Sequence, residues 1–184
     1  MRRTTISALL SLSTLAALSV PAQAEPNRHC VVSLADNTTK CHNSFQAAIS
    51  AATGGRVTLT ANTPAAAAAD PAFASALDRA AGTMAAQAST VIGIEYSSDD
   101  YEGSSLIYSA PWGCDGDKDV AYPDWWVNEL PAWWNDEIES FRTYAGCAAL
   151  HFWDSYRNGS WLGYWYSWGD LHWMNNEASS IAWS

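Results

Sequence analysis

Two short stretches gather an unusual number of side-chain oxygens, "NDEIES" at 135–140 and "NNEASS" at 175–180. In the second, the adjacent amides Asn175 and Asn176 are followed after two residues by the adjacent hydroxyls Ser179 and Ser180. In the first, Asn135 and Asp136 lead to Glu139 and Ser140, so a carboxylate stands where the other copy has a hydroxyl. Amide, hydroxyl and main-chain carbonyl oxygens are hard donors, of the kind a hard divalent cation collects about six to eight at a time. Asn176, Ser179 and the carbonyl of Glu177 supply them with little added charge, and Asn135, Asp136 and the carbonyl of Glu137 are their counterparts. The same residue types are ordinary turn formers that hydrogen-bond their own backbone. Other chemistry finds less support. His29, His42, His151 and His172 show no ligand spacing, and no serine has a nucleophile-elbow context. Nothing sets Asp117 and Asp119, or Asp136 and Glu139, at a separation that works for glycoside hydrolysis. The chain reads as a non-enzyme.

The elements that must position these stretches read as all-β. "VIGIEY" (91–96), "SSLIYSA" (104–110), "SFRTYAG" (140–146), "AALHFW" (148–153), "WLGYWYSW" (161–168) and "SIAWS" (180–184) are short strand-like runs separated by Gly, Asp, Asn and Pro. That spacing, with no long helical period between, argues for a sandwich or barrel. The stretch 111–134 is too long for a hairpin loop and is expected to hold a turn of helix or an ordered loop pinned by Cys114 and its aromatics.

Residues 25–90 differ in kind. All eleven tryptophans lie beyond residue 111. "CVVSLADNTTKC" (30–41) suggests a hairpin, and "NSFQAAISAATGG" (43–55) a short helix capped by Asn43 or Ser44, with Phe45, Ala48, Ile49 and Ala52 on one face. Residues 63–90 are alanine-rich. A marginal helix over 71–81 offers only Phe73 and Leu77 for burial, so this stretch reads as a linker or pro-segment. The expected organisation is a leader at 1–24, a small α/β or partly disordered segment at 25–62, the linker at 63–90 and the β domain at 91–184.

The leader reading rests on Arg2-Arg3, an apolar run over 6–20 and Ala22-Gln23-Ala24, the signature of a cleaved signal peptide. Export predicts a secreted protein in an oxidising setting, where Cys30, Cys41, Cys114 and Cys147 form two disulfides. Three pairings are formally open; Cys30–Cys41 and Cys114–Cys147 are favoured. The formal net charge is −10 for the whole chain and −12 once Arg2 and Arg3 leave with the leader. Such a surface disfavours nucleic acid and anionic membrane, whose binding rests on clustered Lys and Arg.

The β half repeats itself. "IEYSSDDYEGSS" (94–105) carries Tyr96, Tyr101 and Gly103, and "LHFWDSYRNGSW" (150–161) carries Phe152 and Gly159 at the same interval. Each is followed by one of the oxygen-rich stretches. A repeat of this kind is one supersecondary unit built twice, here a four-strand Greek key.

Over residues 91–184 the chain resembles the βγ-crystallin superfamily. Its hallmark, an aromatic, four residues, an aromatic, one residue and glycine, is matched fully by Tyr96, Tyr101 and Gly103. Glycine there permits a left-handed backbone at the folded hairpin corner, across which the aromatics pack. In the second copy Arg157 replaces the second aromatic, which predicts a looser corner. The resemblance implies a sandwich of two Greek keys. Microbial members bind calcium through Asn/Asp-Asn/Asp-x-x-Ser/Thr-Ser. "NNEASS" satisfies every position and "NDEIES" all but that of Glu139. By the same resemblance, two ions would lie between the paired motifs, and the final serines Ser140 and Ser180 would have a packing role.

The implied function is a secreted, monomeric module that binds calcium weakly and has a structural or interaction role. One alternative is an inhibitor of extracellular peptidases, because a metallopeptidase-inhibitor family shares this fold, with loop 111–134 as bait. Another is a glycan- or cell-wall-binding module that uses exposed tryptophans. Alternation is expected to bury two of Trp161, Trp165 and Trp168, and the pairs Trp125-Trp126 and Trp133-Trp134 to pin the long loop.

Overall fold

The computed structural model describes residues 27–81 and 89–184. The expected signal peptide lies outside these residues. Among them, no helix is long and apolar enough to cross a membrane.

Strands β3 (Thr90–Ser98), β4 (Glu102–Ala110), β5 (Trp125–Val127) and β6 (Ser140–Thr143) make the first Greek key. Strands β7 (Ala149–Asp154), β8 (Asn158–Trp165), β9 (Ser167–Trp168) and β10 (Ser180–Trp183) make the second. Each key gives its third strand away. β9 pairs with β6, and β5 pairs with β10. The sheet orders are therefore β4-β3-β6-β9 and β8-β7-β10-β5, related by a pseudo-two-fold axis. Neither sheet is complete without a strand from the other repeat.

Alternation along the strands divides the side chains between two cores. Ile92, Leu106, Tyr108, Phe141, Ile181 and Trp183 fill the space between the sheets. Val91, Ile94, Tyr96 and Ile107 face outward from the first sheet, yet they are buried too. The cover comes from the amino-terminal half. Helices α1 (Phe45–Ala52), α2 (Pro64–Ala68) and α3 (Pro71–Ala81) lie on that face, and Phe45, Ile49, Phe73 and Leu77 join its cluster. The Phe73 ring meets Tyr144 edge-on, with centroids 5.8 Å apart. This corrects the expectation that 63–90 buries little. Phe73 and Leu77 are few, but the sheet supplies the rest of the apolar surface.

Helix α1 forms as its sequence predicts. The Ser44 side chain accepts from the Ala47 amide, and Phe45, Ala48, Ile49 and Ala52 are all buried. Strands β1 (His29–Ser33) and β2 (Thr38–His42) form the expected hairpin, closed by Cys30–Cys41. β1 adds parallel to β4, in register from His29 opposite Ser105 to Ser33 opposite Ser109. The sheet edge thereby moves from the apolar β4 to the exposed "TTK" of β2, a polar, lysine-bearing edge of the type that resists further strand addition.

The second disulfide, Cys114–Cys147, ties the long loop to the turn before β7. The loop is ordered and pinned by Cys114, as expected, and it also holds strand β5, which the expectation omits; its end closes in a turn where the Asn135 amide donates to the Pro131 carbonyl at 3.0 Å. Tryptophan burial departs from expectation. Trp161 and Trp165 are about half exposed and Trp168 is half-buried, while Trp134 and Trp183 are buried. A bulge in the β7–β8 pairing, between Ala149 and His151, breaks the simple alternation on which the expectation rested. Trp125 packs against the core and Trp126 faces out; Trp134 is inside and Trp133 faces out. One member of each pair pins the loop.

Candidate cation site

The two oxygen-rich stretches enter β6 and β10, the last strands of the two keys, and the strand exchange brings them face to face. Their contact is reciprocal in the backbone. The Asp136 amide donates to the Ala178 carbonyl at 3.2 Å, and the Asn176 amide donates to the Ile138 carbonyl at 2.9 Å. Asp136 and Asn176 both take left-handed backbone angles, φ 59° and 56°. Asp and Asn tolerate that region better than other non-glycine residues.

The side chains cross in the same way. Ser179 Oγ lies 3.4 Å from Asp136 Oδ1, and Asn176 Nδ2 donates to Glu139 Oε1 at 3.1 Å. The residues expected to work together within "NNEASS" are thus parted. Asn176 serves one pocket, with Glu139, and Ser179 the other, with Asp136. Sequence order cannot show this, because it follows from the strand exchange. Asn135 donates to Asp136 Oδ2 at 2.6 Å, and Asn175 donates to Asp99 Oδ1 at 3.3 Å. Glu137 is exposed and Glu177 half-buried.

The two final serines have a different task. Ser140 Oγ donates to the Ser98 carbonyl at 2.6 Å and accepts from the Tyr101 amide at 3.0 Å. Ser180 Oγ donates to the Asp154 carbonyl at 2.7 Å and accepts from the Arg157 amide at 3.0 Å. Each staples the folded hairpin of its own repeat. Tyr96 and Tyr101 pack edge-to-face across the first corner at 5.6 Å. The second corner is not looser. Tyr156 and Arg157 repeat the left-handed geometry of Asp100 and Tyr101, and Gly103 and Gly159 share φ 74°. Arg157 substitutes for the missing aromatic by lying 5.4 Å over the Trp126 ring.

The pockets are unequal in charge. The Asp136 pocket pairs one carboxylate with a hydroxyl. Around the Glu139 pocket, Asp99 is held above the usual carboxylate range, by desolvation first and then by the negative charges of Asp170, Glu139 and Asp100. Asp170 is held below it, chiefly by the backbone amide of His172, whose ring lies 2.9 Å away. Sequence reading missed Asp99 and Asp170 because they come from the hairpin corner and the turn before the second motif. Among the described residues, no group of three or more His, Cys, Asp or Glu is arranged to hold a metal ion. Any cation here would depend on neutral oxygens as much as on carboxylates. That donor set fits calcium, which accepts mixed oxygens in flexible geometry. A half-turn of the Asn176 amide exchanges Nδ2 for Oδ1 toward Glu139.

His29, His151 and the carboxylates of Asp115 and Asp119 are engaged elsewhere. His151 is buried against Glu95 and His29 against Ser105. Asp119 accepts from the Ala121 amide in a local turn, and Asp115 from the Asp117 amide.

No protein-family model and no curated protein matches the sequence. Solved structures do. The amino-terminal domain of Protein S aligns at 16% identity and TM-score 0.38, over 50% of this chain and 94% of that one. A βγ-crystallin domain of Abundant Perithecial Protein from Neurospora crassa, in the Ca2+-bound form, aligns at 17% and 0.39, over 50% and 87%. A βγ-crystallin domain from Flavobacterium johnsoniae aligns at 20% and 0.36, over 50% and 93%. The fold class rests on the chain's own architecture: two four-strand keys, third strands exchanged, and a serine-stapled corner in each. This is an all-β sandwich of the βγ-crystallin type, extended at one edge and covered on one face by an amino-terminal segment.

Proposed function

We propose that the sandwich is a secreted calcium-binding module with a structural or protein-interaction role. The observation that carries this reading is the reciprocal crossing of the two motifs, which sets Asp136 beside Ser179 and Asn176 beside Glu139. Two disulfides among the described residues are compatible with an oxidising, extracellular setting. With neutral oxygens supplying much of each pocket, affinity falls in the weak range of about 10⁻⁵ to 10⁻³ M. Bound calcium would neutralise the carboxylate of each pocket and join the two repeats. At about 100 times its dissociation constant it adds about 2.7 kcal/mol of stability.

The deciding measurement is the melting temperature in millimolar calcium and then in excess chelator, together with calorimetric titration of the wild type and Ser179→Ala. The reading requires a higher melting temperature with calcium and a weaker titration in the variant. Identical melts and no heat of binding would refute it.

A further inference from the structure

We infer that the cleft between the amino-terminal hairpin turn and the loop after β4 binds a basic polypeptide segment, with a Lys or Arg side chain laid on the Trp112–Trp125 indoles and its charge near Asp124 and Glu129. The cleft has a volume of about 600 Å³, within the size range of ligand sites. Leu34 and Asn37 of the hairpin turn line one side, and Trp112, Asp124, Trp125 and Glu129 line the other. Trp112 and Trp125 meet at 4.8 Å between centroids with a 51° tilt. Trp112 nevertheless stays 61% exposed, which leaves indole surface open.

Charge selects the occupant. The cleft lining holds two carboxylates and, among the described residues, no Lys or Arg. A second cleft, of about 530 Å³, opens on another side of Trp112 and adds Asp78 and Asp115, again with no basic residue in its lining. A neutral ligand would use the indoles and leave the acidic field unused. A cation uses both, through attraction to the ring face and to the carboxylates. The aliphatic stem of Lys or Arg suits apolar walls that end in polar groups. The chain already shows this pairing with its own side chains: Arg157 over Trp126 at 5.4 Å, Arg28 over Trp133 at 5.9 Å and Lys118 over Tyr166 at 4.4 Å. The Trp112 end of the cleft is separate from the Glu139 pocket: Asp99 and Trp112 lie beyond opposite ends of β4, whose nine residues run roughly 30 Å. Its Glu129 end approaches the Asp136 pocket, since the Leu130 amide donates to the Ser179 carbonyl at 3.0 Å.

The test is calorimetric titration of the full chain, in chelator so that the calcium pockets play no part. The probes are an alternating Lys-Ala octapeptide, its Glu-Ala counterpart and chitotetraose. We expect binding of the Lys-Ala peptide alone. Trp112→Ala should weaken it at least about fivefold. Asp124→Asn and Glu129→Gln should each weaken it at least about threefold. Glu102→Gln, which removes the same charge at the far end of β4, should cost less than either. Unchanged binding in Trp112→Ala, or equal losses in Glu102→Gln and Asp124→Asn, would overturn the inference in favour of diffuse attraction to an acidic protein. Binding of chitotetraose without the peptide would replace it with a glycan site. Melting curves check each variant's fold. Should Trp112→Ala unfold, the comparison of the three charge variants decides alone.

Discussion

Glu95 and His151 occupy the same place in the two repeats, one residue ahead of Tyr96 and Phe152, and they meet at the centre of the sandwich. Glu95 Oε2 lies 2.9 Å from His151 Nε2, and both side chains are 0% exposed. The imidazole also packs on Phe141, with ring centroids 4.4 Å apart. The pseudo-two-fold axis thus brings a carboxylate and an imidazole together where two apolar residues would have packed.

Removing one partner leaves the other buried and uncompensated, which typically costs about 3–5 kcal/mol. Glu95→Leu should lose that much in urea unfolding. The double variant Glu95→Leu/His151→Phe should regain most of it, since a well-packed apolar pair replaces a buried polar pair at little cost. A double variant as unstable as the sum of the two singles would show that the pair is not coupled.

The crossed pockets predict which substitutions interact in calcium binding. Asp136→Asn and Ser179→Ala act on one pocket, so their combined loss of affinity should be less than the sum. Asn176→Ala and Ser179→Ala act on different pockets, despite lying three residues apart, and should add within about 0.5 kcal/mol. Calorimetric cycles read both. The reverse result would mean that each motif binds its own ion.

Alkaline pH should unfold the protein through its buried phenols. Burial, the largest cause in each case, holds Tyr96, Tyr108 and Tyr144 above the ordinary tyrosine value. In the unfolded chain they ionise near pH 10. Their contribution to stability is therefore complete below about pH 10 and is lost as pH climbs toward the folded values. On the acid side, burial lowers His29, so its contribution is present above about pH 6.5 and falls away below it. Tyrosinate absorbance followed beside far-ultraviolet dichroism checks the alkaline limb: late ionisation should coincide with unfolding, whereas separate steps would contradict it.

Phe73 and Leu77 test whether the alanine-rich helices belong to the fold. Both are buried against the outer face of the first sheet. Phe73→Ala and Leu77→Ala should each cost about 2–5 kcal/mol in a single unfolding transition that includes the sandwich. Two separate transitions would return the segment to the status of a linker.

Much of this architecture was legible in the residues. β-branched runs such as 91–96 and the glycine-bearing corners announced the strands and the repeat. Export logic and cysteine order pointed to both disulfides. Three things were not legible. β5 is three residues long, too short for alternation to register against the surrounding tryptophans. The burial of Phe73 depends on Ile94 and Ile107, which stand on two strands that each show side chains to two different cores. The partition of Asn176 from Ser179, like the meeting of Glu95 with His151, is set by the axis between the repeats, and no local pattern records it.

The parallel docking of β1 on β4 joins positions 76 apart in the chain. A ribosome delivers His29 long before Ser105 exists, so the hairpin emerges with no neighbour to receive it. The Cys30–Cys41 link spans only 11 residues and needs no later part of the chain in order to close. The first strand of the sheet to be made must thus wait for β4 before it finds its place, and its own crosslink keeps it hairpin-shaped during the wait.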